Sequence, residues 1–117
     1  MLFRSAVDAS HGDVVCIEKG TKLRFDIKYQ ARLINTEEYF IEDAHALGGF
    51  IAGILASNHD VTDLFVDSAL KICNNNVAEF EKMVETLDRL LKGLDAKVTF
   101  TASLPVEEAS ETLRKYL

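Results

Sequence analysis

At 117 residues, 48% hydrophobic and 27% charged, the chain has the size and balance of one globular domain, taken as residues 1–117. Its net charge of −6 argues against nucleic acid as the main partner, and its longest apolar run falls short of the roughly 20 residues that span a bilayer. Two cysteines in apolar runs, Cys16 and Cys73, read as buried thiols of a reducing compartment rather than as a disulfide framework.

The first residues lack a basic region followed by a long apolar stretch, so a cytoplasmic protein is expected. Charge is unevenly spread. Residues 1–34 carry six Lys/Arg against four Asp/Glu, whereas residues 35–117 carry seven against fifteen. The front is mildly basic and the back strongly acidic.

In chain order, residues 1–7 suit a short strand or a docked arm. Residues 14–17 form a β-branched apolar run, and Gly20 follows where a hairpin turn needs positive φ. Leu23, Phe25, Ile27, Tyr29, Ala31 and Leu33 then alternate with polar residues, the pattern of a strand with one buried and one wet face. Asn35 stands three residues before Glu38, a capping box for a helix entering at Thr36; EEYFIED either continues into the apolar helix or forms a short strand before it, and the helix is favoured.

Residues 44–58, AHALGGFIAGILASN, organise the rest. Small residues recur every fourth position and large apolar ones fill the remaining surface, which predicts a helix buried all round. Val61, Leu64, Phe65, Ser68 and Ile72 predict a further helix over about 60–73. Asn76 and Glu79 cap the next, in which Val77, Phe80, Val84, Leu87, Leu91 and Leu94 make an a/d stripe over 77–94, closed by Gly93. Residues 97–104 alternate as a late strand, and Pro105 opens a last helix. The expected fold is α+β: a small, mostly antiparallel sheet, made of the N-terminal hairpin and the strand near 97–104, with about four helices on one face.

No motif points to catalysis. Gly48, Gly49 and Gly53 lie inside an apolar run, without the strand–loop–helix frame or following lysine of a phosphate loop, so close packing is the simpler reading. His11, His45 and His59 are not at the spacing of helical metal ligands, and neither cysteine has neighbours that would lower its pKa. No cofactor and no metal is expected.

Two interaction surfaces remain. Lys22, Arg24, Lys28 and Arg32 on the wet side of the long strand suit docking of an acidic protein partner. The 77–94 stripe suits the core or a two-fold pairing. The expectation is therefore a non-enzymatic protein-interaction module, an adaptor, chaperone, immunity-type inhibitor or regulatory subunit, acting as a homodimer. The alternative is a small-molecule site or small enzyme with a pocket between the sheet and the helix of Gly48 and Gly53, with His45 or Tyr39 at its mouth, lined by Gly48, Gly49 and Gly53.

Overall fold

A computed structural model describes residues 12–20 and 31–102. Its first strand, β1 (Asp13–Glu18), is buried from Val14 onward on both of its faces, as the unbroken run VVCI requires of a central strand. Strand β2 (Ala31–Asn35) lies beside it, with Val15 opposite Arg32 and Ile17 opposite Ile34. A 3-10 turn, Thr36–Tyr39, leads to helix α1 (Ala44–Ser57) and then to strand β3 (Val61–Val66) on the other side of β1. The short helix α2 (Ala69–Ile72) and the long helix α3 (Val77–Leu91) precede the edge strand β4 (Lys97–Phe100). The sheet order is β2-β1-β3-β4.

Every pairing in this sheet is parallel. The expected antiparallel hairpin is thus replaced by two parallel neighbours. Gly20 does adopt the positive φ expected of it, at 105°, but its amide donates to Asn35 Oδ1 (2.8 Å) and closes no hairpin. Turn chemistry and strand direction are separate matters here. A parallel pair needs a connection of about a dozen residues, and twelve separate the end of β1 from the start of β2. The described residues hold three helices rather than about four; the helix expected after Pro105, and the segment 1–7, lie outside them.

The helix expected over 60–73 is the second correction. Residues 61–66 form β3, with Val61, Leu64 and Val66 buried. The apolar spacing of VTDLFV fits either period, and pairing with strands on both sides decides for the extended form. Ser68, left-handed at φ 53°, then separates strand from helix. The Thr36 helix also fails to run on. Asn35 caps only the 3-10 turn, accepting from the Glu37 amide at 3.0 Å, and Phe40 ends it in a left-handed conformation.

One core lies on the helix-bearing face of the sheet. Val15 and Ile17 from β1, Ile34 from β2 and Leu64 and Val66 from β3 meet Leu47, Ile51 and Leu55 of α1 and Phe80, Met83, Val84 and Leu87 of α3. The a/d stripe of α3 is therefore core, capped as expected by Asn76 Oδ1 accepting from the Glu79 amide (3.1 Å). The helix closes at Lys92 in an ordinary right-handed conformation rather than at a left-handed Gly93. Helix α1 is buried only along Ala44, Leu47, Ile51 and Leu55, so the expectation of a helix enclosed on all sides does not hold.

Candidate functional site

Helix α1 starts at Asp43, whose carboxylate accepts from the Ala46 amide at 2.7 Å. Its sheet side is filled, with Leu47 and Ile51 fully buried. The open space on this helix is on its α3 side instead, a shallow groove of about 400 Å³ lined by His45, Gly48, Gly49, Met83, Leu87 and Leu90 among others. Gly48 lies directly against the Met83 side chain, whereas a Cβ on Gly49 or Gly53 would meet nothing within 4 Å. Of the residues assigned to a pocket from sequence, His45, Gly48 and Gly49 share this groove, and Gly53 and Tyr39 do not line it. The charged residues at its rim, Glu79 and Lys82, are exposed and pair with each other at 3.5 Å. A small-molecule site needs polar groups converging inside a concave space; this groove has an apolar floor and a wet rim.

A second place of interest is the carboxyl edge of the sheet. The chain passes from β1 to β2 in one direction and from β2 to β3 in the other, so the ends of β1 and β3 flank the reversal where open parallel sheets commonly bind ligands. Here the side chains are engaged with one another. The Asp67 carboxylate accepts from the Thr101 hydroxyl (3.0 Å) and the Ser68 hydroxyl (3.3 Å), and Thr101 Oγ1 accepts from the Ser68 amide (2.8 Å). The Asp67 amide donates to Ile17 O and the Thr101 amide to Val66 O, fastening β1, β3 and β4 beyond their ladders. Among the described residues no three His, Cys, Asp or Glu side chains gather as a metal site. The network is a clasp for the edge of the sheet.

The thiols are free and buried. Burial pushes Cys16 up to about 12, aided by the charges of Glu18 and Asp67, and pushes Cys73 up to about 11, aided by Asp43. Both are protonated and enclosed at neutral pH, the opposite of an activated nucleophile.

The remaining feature is the turn between β2 and α1. Phe40 stands 81% exposed at φ 56° and ψ 37°, and Tyr39 beside it is 48% exposed. The Tyr39 ring lies 6.0 Å from that of Phe50 on α1, and its hydroxyl accepts from the Arg32 guanidinium at 3.4 Å. Glu37, Glu38, Glu42 and Asp43, which flank the two aromatic residues in sequence, are exposed as well. Most bulky side chains avoid the left-handed region, at a cost of about 1 kcal/mol or more. Here that conformation holds an aromatic ring in water.

Comparison with family models, with curated proteins and with solved structures finds no match.

Function is thus to be read from these surfaces alone. Of the basic residues assigned to partner binding, Arg32 is exposed and holds Tyr39, while Lys22, Arg24 and Lys28 lie outside the described residues. Sequence reasoning passed over Phe40 because EEYFIED was read as helix, where one ring could turn inward. Two adjacent aromatic residues set among four carboxylates were the available signal. Among the described residues no helix is long and apolar enough to cross a membrane.

Proposed function

We propose that this chain is a non-enzymatic protein-interaction module whose docking surface is the aromatic turn of Tyr39 and Phe40. The exposure of Phe40 carries the reading. A phenylalanine in water forgoes about 2 kcal/mol of burial, and its left-handed backbone adds a further cost. At 81% exposure the ring has little contact among the described residues to offset either. Aromatic side chains of this kind are the usual anchors of protein interfaces, where they fill a partner's pocket. The neighbouring surface supports the same use: Tyr39 and Phe50 extend the patch toward α1, whose 14 residues carry no Asp, Glu, Lys or Arg.

Self-association through the α3 stripe has less to recommend it, since Phe80, Met83, Val84 and Leu87 are already committed to the core. The alternative, a small-molecule site, falls to the groove between α1 and α3 rather than to a space between α1 and the sheet.

The test is photo-crosslinking in cells, with a benzophenone amino acid at position 40 and, as a control, at the exposed position Glu85. A discrete protein adduct at 40 and none at 85 is the expected result. A chain that crosslinks to nothing at 40 while remaining folded would defeat the proposal.

A further inference from the structure

Resting on that reading, we infer that the partner of the aromatic turn is a basic protein surface carrying an apolar socket, rather than a second copy of this chain. The observation is the charge that surrounds the rings. From Arg32 to Asp43 the chain places four exposed carboxylates, Glu37, Glu38, Glu42 and Asp43, against one guanidinium. That guanidinium is occupied with the Tyr39 hydroxyl. No ion pair to these four carboxylates occurs among the described residues, where Lys82 and Glu79 form the one salt bridge observed. The turn that carries Phe40 is therefore rich in exposed carboxylates, and none of them is ion-paired among the described residues.

An interface core of this kind excludes water while its rim stays wet, and the rim charges select the partner more than they hold it. An acidic rim favours approach of Lys/Arg-bearing surfaces and opposes acidic ones. A second copy would set eight such carboxylates around two opposed rings, on chains that each already carry −6. Like charges facing across an interface are a device against the wrong partner. Nucleic acid and anionic lipid are opposed for the same reason. The basic partner needs an apolar recess as well as charge, because Phe40 presents a ring with no polar handle.

The experiment is selection of a random 16-residue peptide display library on the full chain, with counter-selection on a Phe40→Asn variant. Asparagine tolerates the left-handed conformation, so that variant keeps its backbone, which circular dichroism and a thermal melt verify. The expected yield is peptides of net positive charge that include an aromatic or large aliphatic residue. Fluorescence anisotropy with an enriched peptide should show about 30-fold weaker binding to Phe40→Asn, the size of an anchor loss. The triple variant Glu37→Gln, Glu38→Gln, Glu42→Gln should bind severalfold more weakly at low salt and lose most of the salt dependence seen with the natural chain. Asp43 is left in place because it caps α1.

Enrichment of neutral or acidic peptides would overturn the inference, as would peptide binding indifferent to Phe40 or no enrichment at all. So would sedimentation showing a dimer that Phe40→Asn converts to monomer, since the occupant would then be a second copy. The two readings fail separately. A crosslink from position 40 to a partner's acidic face keeps the interaction module and removes the basic partner, whereas silence in both experiments removes both.

Discussion

Met83 of α3 lies so close to the backbone of Gly48 on α1 that a Cβ on the glycine would meet the methionine Cγ at 3.0 Å. One glycine of the trio is thus packed tightly against its neighbour, and the other two face open space. Replacing Gly48 with valine should destabilise the chain by about 1–3 kcal/mol through overpacking. Gly49→Ala and Gly53→Ala should each stabilise it by about 0.5–1 kcal/mol through helix propensity. Urea titrations of the three variants check this. Equal effects at the three positions would contradict the placement of α1.

Phe40 should be more costly to stability than its replacement. Phe40→Asn removes no buried contact and eases a left-handed backbone, so folding stability should rise by about 0.5–1 kcal/mol while partner capture is lost. A fall in stability beyond about 1 kcal/mol, measured by denaturant unfolding, would mean that the ring is part of the fold and not of a docking surface.

Thr36 offers a test of the same turn from inside. Its hydroxyl is fully buried and has no hydrogen-bond partner among the described residues. An unsatisfied buried polar atom costs about 1–3 kcal/mol, and an apolar group of the same shape does not. Thr36→Val should raise the urea midpoint without changing the slope of the transition. A lowered midpoint would show that the hydroxyl is engaged.

The buried thiols set a pH dependence. Because Cys16 and Cys73 are held at about 12 and about 11 when folded, against an ordinary 9.0, the unfolded chain loses these protons first as pH rises. Their contribution is fully present below pH about 9, falls as pH climbs above it, and is exhausted by about pH 12. A Cys16→Ala, Cys73→Ala variant should therefore show a shallower loss of stability over that range than the natural chain. The native thiols should also resist alkylation at pH 8 and react readily in denaturant.

Much of the local structure was legible in the residues. Asn76 with Glu79, Gly20 with its positive φ, and the apolar stripe of α3 behave as their chemistry demands, because each depends on neighbours within one turn of chain. The segment 61–66 was not legible. Its apolar spacing fits a helix face or a strand enclosed from both sides, and only the presence of β1 and β4 on its flanks decides between them. The candidate site is half visible in the sequence: Tyr39 stands out as an aromatic beside the apolar helix, while the helical reading of EEYFIED hides the exposure of Phe40.

By itself, then, the sequence determined the positive φ of Gly20, where α3 begins, that residues 44–57 are helical, and that the thiols and most large aliphatic residues are internal. Those outcomes follow from backbone sterics, capping and hydrophobicity, which act locally. Tertiary structure alone decided that β1, β2, β3 and β4 run parallel, that α1 is covered on one side only, and that Phe40 is left in water. Strand direction depends on how the crossovers return, and burial depends on which faces the neighbours reach. Neither is written in the period of any single segment.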